Sequence, residues 1–315
     1  MIFLQSDTLR AQIFPEGATL GGLWLRDKVS HSLVLGTATG AGYDSDLVYA
    51  GAIVGPVANR LRDARARLGD QILTLPANDG AHSLHGGPGG LHRDIWQVEH
   101  ETQDSVVLST RRVDGAGGMP GNRDFSVRYS LEAAMCLSVT ITVSTDTDTL
   151  ISPAHHPYWN LDGSHDVSGH RLQVMADNYL PVDGDTLPTG RVADVAETSY
   201  DFRTPRAVPV DQTLDANLCL AENRRRDPVA VAHLTGGYGT AMTIETTEPG
   251  LQVYNGSGLP QSDLVLHDNR RPQPFAGIAL EPQGWPDAPN QPHFPSVLLR
   301  RSQQYRQVTR YLFSV

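Results

Sequence analysis

The stretch LEAAMCLSVTITVSTD, residues 131–146, sets Leu137, Val139, Ile141 and Val143 against Ser138, Thr140, Thr142 and Ser144. Apolar and polar residues alternate one for one. That is the period of a strand with one face buried, and its Val, Ile and Thr content suits a pleated surface. The same alternation runs through RDFSVRYS (123–130), VVLST (106–110) and AMTIETTEPGLQVYN (241–255). With 30 glycines and 21 prolines, and turn clusters such as DGAGGMPGN (114–122), long amphipathic helices have little room. An all-β fold, a large antiparallel β-sandwich, is expected. No composition shift, low-complexity linker or fixed-period repeat divides the chain, so residues 1–315 read as a single domain.

Hydrophobic residues at 39% and charged residues at 19% argue for a globular protein, and no apolar run reaches the roughly 20 residues of a spanning helix. The N-terminal MIFLQSDTLRAQIFPEGATL lacks the marks of a secretory signal, so a cytoplasmic location is expected. A net charge of −10 disfavours nucleic acid and anionic membranes as partners, because both are bound through positive patches. Arg224, Arg225 and Arg226, flanked by Glu222 and Asp227, read as a solvated loop. Cys136 and Cys219 sit among apolar neighbours without CxxC spacing and read as small core residues. The loops HGGPGG (85–90) and GAGG (115–118) lack the GxxxxGK[ST] pattern that cradles phosphates.

Four polar-aromatic islands carry the chemistry. In GAIVGPVANRLRDAR (51–65), Asn59 and Arg60 follow a small, apolar run. The guanidinium fork suits hydroxyls or carboxylates of a ligand, and equally an ion pair at a strand end. In HSLHGGPGGLHRDIW (82–96), His85 precedes two glycines that let a ligand approach the backbone. His82, His85 and His92 match no zinc spacing, and no metal site is expected. In SPAHHPYWNLDGS (152–164), Pro157 biases His156 toward an extended backbone beside Tyr158. A histidine there serves as a proton donor or as a structural loop residue. Last, GIALEPQGWPDAPNQPHF (277–294) ends an apolar run in Glu281. Desolvation would raise that carboxyl toward the range of a general base, unless backbone donors simply satisfy it. Trp285 and the surrounding prolines are expected to wall the pocket. Together the islands suit a neutral, hydroxyl-rich ligand: rings for the apolar faces of a sugar, amide and charged groups for its hydroxyls.

These residues resemble one family, the aldose 1-epimerases or galactose mutarotases. The similarity is carried by GPVANRL (55–61), LHGGPGGLHRDIW (84–96), HPYWNLDG (156–163), DNYLPVDGDTLPTG (177–190), YDFRTP (200–205), LDANLCL (214–220), LQVYNG (251–256) and ALEPQGWPDAPNQPHFPS (279–296). The resemblance implies a galactose mutarotase-like supersandwich with its site on a concave sheet face. It further implies Glu281 as general base, His156 as general acid and His85 beside the ring oxygen. Arg60, Asn59, Asp215, Tyr158 and Gln283 would contact the sugar. The chain departs from the family's common residues at Pro56, His155, Leu218, Gly284 and Trp285, none of them catalytic.

The expected activity is interconversion of the α and β anomers of a free aldose by ring opening and reclosure. No cofactor is called for, because no hydride or group is transferred. The partner is a monosaccharide, and the chain is expected to be a monomer or homodimer. Two alternatives stand beside this: an epimerase of a phosphorylated hexose, which needs a cationic pocket, and a silent sugar-binding module, which would lack the acid or the base. A glycosidase with two carboxylates is a third.

Overall fold

In the computed structural model, which describes residues 1–315, the strand-like region around 123–145 forms a hairpin. Strands Arg123–Glu132 and Cys136–Thr145 pair antiparallel from Arg123↔Thr145 to Glu132↔Cys136. The quoted stretch is therefore the end of one strand, a turn, and the whole of the next. Val127, Tyr129 and Leu131 of the first strand and Leu137, Val139 and Ile141 of the second are buried in the same core, as the alternation requires.

This hairpin belongs to a nine-stranded sheet ordered Arg206–Ala207, Arg171–Val174, Val229–Thr235, Ala241–Thr246, Tyr305–Ser314, Cys136–Thr145, Arg123–Glu132, Ser105–Arg112, Gln97–Glu101. A six-stranded sheet packs against it, ordered Tyr158–Trp159, Ile278–Gln283, Gly250–Tyr254, Asp215–Cys219, Asn178–Tyr179, Ala193–Asp194. Within both sheets every strand pairing is antiparallel, and the only helical pieces are three-residue 3₁₀ turns. Leu218, Leu251, Val253, Ile278 and Leu280 of the smaller sheet join the core formed with the larger one.

The region 241–255, which reads as one alternating run, serves both sheets. Ala241–Thr246 lies in the larger and Gly250–Tyr254 in the smaller, with Thr247, Glu248 and Pro249 carrying the chain across. Glu248 is buried at this crossing and needs compensation. Arg224 Nε donates to it at 2.9 Å, the Tyr305 hydroxyl donates at 3.3 Å, and the guanidinium lies 3.9 Å above the Tyr305 ring. Arg224 is thus half-buried and engaged rather than part of a solvated loop. Of the cysteines, Cys136 is buried, whereas Cys219 is only half-buried because its strand faces it toward a surface groove lined by Trp285 and Phe294.

Alternation in the smaller sheet decides where the chemistry sits. Because successive side chains point to opposite faces, Leu251, Val253 and Leu280 go inward while Gln252, Tyr254 and Glu281 go outward. Glu281 is the fourth residue of the six in Ile278–Gln283 and pairs with Gln252 of the neighbouring strand, so it is not a residue at a strand end. Its position is fixed from below by Leu280. Replacing Leu280 by Ala is expected to cost about 2–5 kcal/mol of stability, measured by urea denaturation, and to lower turnover in the molecules that remain folded.

Candidate active site

Three covering segments roof the outer face of the smaller sheet, and main-chain hydrogen bonds tie them together. His156 N donates to Ala52 O (3.0 Å), Gly51 N to His156 O (2.8 Å), and Ala154 and His155 pair with Val54 and Ile53. Arg60 and Leu61 pair with Leu84 and Ser83, and Leu91 N donates to Gly55 O at 3.0 Å. Between roof and sheet lies a cavity of about 430 Å³ lined by Tyr49, Asn59, Arg60, His85, His156, Tyr158, Asp215, Gln252, Tyr254 and Glu281, with a rim of 45–48 and 258–260.

At its centre His156 Nε2 lies 3.4 Å from Glu281 Oε1, with the carboxylate 2% and the imidazole 4% exposed. Burial disfavours charge on each partner. It raises the Glu281 carboxyl well above its usual range, with Asp215 adding to the rise and Arg60 opposing it. It also lowers the His156 imidazole to about 4. The pair therefore keeps one dissociable proton between its two members over a wide range of pH.

His85 is held differently. The backbone N–H of Asn59 donates to its Nδ1 at 3.1 Å, and His85 N donates back to Asn59 O at 3.0 Å. Both residues occupy the left-handed region, at φ 61° for Asn59 and 53° for His85, a conformation uncommon outside glycine. Accepting a hydrogen bond at Nδ1 puts the proton of the neutral ring on Nε2. Burial, first, and the neighbouring His156 hold the ring well below its usual pKa, so it stays neutral. His85 is consequently a donor of one hydrogen bond from Nε2.

The same bond bears on metal binding. A trio other than the three histidines of 82–92 comes together here: His85, His156 and Glu281 each offer a ligand atom, and these lie within 4.8 Å of one another. A neutral His85 with Nδ1 accepting and Nε2 protonated has no free lone pair, and binding a cation would require breaking the Asn59 bond. The donor set does not fit a resident metal.

The polar frame continues across the strands. Asp215 accepts from Gln252 Nε2 at 2.5 Å and lies 3.8 Å from Arg60 Nη1, while Arg60 Nε donates to Asp79 at 2.7 Å. Asn59 lines the cavity, but its Oδ1 accepts from Arg60 N at 2.8 Å, which leaves its amide N–H groups for a ligand. Tyr158 packs its ring 5.1 Å from that of His156. Glu281, His156, His85, Arg60, Asn59, Asp215 and Tyr158 thus share one cavity.

Gln283 does not join them. Two residues beyond Glu281 it shares the strand face, yet it is fully buried and opposite Gly250, past the row where the cavity ends. The proline-rich segment also fails to wall the site. Trp285 and Phe294 pack with Val57, Leu180 and Val297 in a separate cluster, and the rings that line the cavity are Tyr49, Tyr158 and Tyr254. Sequence reasoning missed Tyr49, Gln252 and Tyr254. The last two follow from continuing the Leu251, Val253 phase through LQVYNG; nothing local marks Tyr49.

The family described as aldose 1-epimerase matches residues 1–312, and the chain belongs to it. Its enzyme class is accordingly that of the isomerases. Among relatives, the galactose mutarotase of Bos taurus is 35% identical, covering 99% of this chain and 93% of its own. The aldose 1-epimerase of Escherichia coli K12 is 31% identical over 94% and 90%. Of solved structures, the aldose epimerase homologue of C. elegans superposes with a TM-score of 0.91 at 31% identity, covering 99% of this chain and 98% of that one. The galactose 1-epimerase of Lactobacillus acidophilus gives 0.84 at 25% identity, covering 99% and 93%.

Beneath the pair, His155 is buried with Nδ1 3.2 Å from the Tyr311 hydroxyl, and burial, then His156, lowers it to about 3. An unfolded histidine titrates near 6.5, so below that pH the unfolded chain takes up a proton that folded His155 refuses. Relative to His155→Asn, the wild-type protein is expected to lose about 1.4 kcal/mol per pH unit as pH falls from about 6.5 toward 3. Above pH 7 the difference is flat. Denaturation of both proteins at several pH values measures it.

Proposed function

We propose that this protein interconverts the anomers of a free aldose, with Glu281 as general base and His156 as general acid. The observation that carries the proposal is the 3.4 Å approach of His156 Nε2 to Glu281 Oε1 inside a cavity lined by hydroxyl-reading groups.

A closed pyranose would give its anomeric proton to Glu281 while His156 delivers one to the ring oxygen. The C1–O1 bond gains double-bond character, the bond from C1 to the ring oxygen breaks, and the open-chain aldehyde results. The step starts from the pair with its one proton on His156 and ends with Glu281 protonated and His156 neutral, the placement that burial favours for both groups. Rotation about C1–C2 presents the other face of the carbonyl. His156 then takes back the hydroxyl proton as the oxygen attacks C1, and Glu281 returns its proton to O1. No net proton is exchanged with water, so a dry site does not obstruct the cycle.

Nε2–H of His85 is suited to the ring oxygen region, and Arg60, Asp215 and the amide of Asn59 to the sugar hydroxyls. The substrate is a neutral monosaccharide. Arg60 is the one cationic residue lining the cavity, against Asp46, Asp215 and Glu281, which disfavours a phosphorylated hexose. We read residues 1–315 as one functional unit, since the cavity draws on residues from 45 to 281. Two unpaired cysteines suit a reducing compartment such as the cytoplasm.

Polarimetry of freshly dissolved α-D-galactose and α-D-glucose tests the activity. Glu281→Gln and His156→Asn are each expected to lower the rate by about 10²–10⁴-fold, with sugar binding retained in calorimetry. Wild-type rates in either variant would remove that residue from the mechanism. The pair works with one proton; taking up a second, which His156 accepts only near 4, leaves no base, so the acid limb of kcat/KM is expected well below pH 6.5. A limb at 6.5 would mean an imidazole in water.

A further inference from the structure

Neither His85 nor His156 has hydrogen bonds that fix its ring on both sides. His85 is held through Nδ1 alone. His156 touches Glu281 through Nε2, the atom that must exchange its proton, and its buried Nδ1 has no partner. An imidazole with one anchoring bond can tilt, and a tilt of the acid misdirects its proton. The remaining restraint is packing.

One ring supplies it for both. The Tyr49 ring centroid lies 4.7 Å from that of His85 and 6.1 Å from that of His156, nearly parallel to the latter at 27°. The two imidazoles meet each other edge-on at 5.2 Å. Tyr158 reaches His156 but not His85, so Tyr49 is the single aromatic side chain packed on both. It also packs at 4.8 Å on His92, a buried histidine that does not line the cavity and whose Nδ1 is unpartnered. With three imidazoles around one phenol, the ring has little freedom of its own.

Tyr49 is also well seated. Its hydroxyl accepts from Asn78 Nδ2 at 3.4 Å, and Asn78 exchanges two bonds with Leu84, at 2.7 and 3.1 Å, immediately before His85. Ala52 N donates to Tyr49 O at 3.1 Å. Gly51, at φ +72°, packs so tightly that a Cβ there would stand 2.1 Å from Leu20 O. The main chain just after the ring is therefore held in one conformation.

We propose that Tyr49 is a positioning residue that keeps the His85 and His156 imidazoles aligned with Glu281, and that it acts through the packing of its ring rather than through its hydroxyl. The proposal rests on the epimerase reading for its kinetic consequence, though not for its structural one. Without the ring, substrate still meets Arg60, Asp215 and Gln252, so KM changes little. Turnover suffers, because it depends on where two nitrogens point.

Tyr49→Leu is expected to lower kcat by about 10²-fold at nearly unchanged KM, and Tyr49→Phe, which keeps the ring, to restore most of the rate. Imidazole nitrogen NMR supplies a readout independent of turnover. The His85 and His156 signals, each from one ring orientation in the wild-type protein, are expected to become exchange-averaged in Tyr49→Leu and to remain single in Tyr49→Phe. Should Tyr49→Leu fail to fold, Tyr49→Met, closer in volume, carries the same measurements. Any one of three results overturns the proposal: wild-type kcat without the ring, unmoved nitrogen signals without the ring, or a Phe variant as slow as the Leu variant. If the wild-type protein itself does not interconvert anomers, the functional reading falls and the nitrogen signals alone decide on Tyr49.

Discussion

A carboxylate kept out of water on the outer face of a β-sheet, with an imidazole 3.4 Å away, is the constraint on which the rest of the molecule depends. Isolated, such a group would be neutralised or would pull water in. Here the strand fixes it from below through Leu280, and the roof segments close over it. Neutrality of the pair, rather than any nearby cation, makes the burial tolerable. Arg60 reaches Asp215 and Asp79 instead, so the carboxylate is spared a direct ion pair that would lower its basicity.

The two histidines at the centre are held by different physics. A backbone bond decides which nitrogen of His85 carries the proton, and that bond exists because Asn59 and His85 both take left-handed backbone conformations. His156 is set by its extended segment and by its ring neighbours. Strain in the roof and burial at the floor thus serve one end: His85 meets the ligand in a single protonation state, and the Glu281–His156 pair meets it with one proton between its members. A metal would demand another state of His85, and an anion another balance of charge.

Much of this was legible in the residues alone, where the signal was periodic or local. The alternation in 136–145 set the strand, and the isolated acid after an apolar run, the His-Pro step and the Asn-Arg pair each pointed to the cavity they share. Gln283 was misplaced because a shared strand face is not a shared cavity, and its row lies under Gly250 rather than under the roof. Trp285 misled for a related reason: aromatics near a reactive group in sequence had turned aside into their own cluster. Tyr49 and the Glu248–Arg224 pair left no local trace, since their partners lie up to 107 and 24 residues away.

Strand Tyr305–Ser314 occupies an interior position of the larger sheet, zipped between Cys136–Thr145 and Ala241–Thr246. From it Gln307 donates to Pro282 O at 2.8 Å and Tyr311 meets His155, so it braces both flanks of the reactive pair. During synthesis the two halves of that sheet stay open at their centre until residue 314 has emerged. A nascent chain therefore exposes an unpaired inner edge for most of its translation, the circumstance in which chaperones matter and aggregation competes.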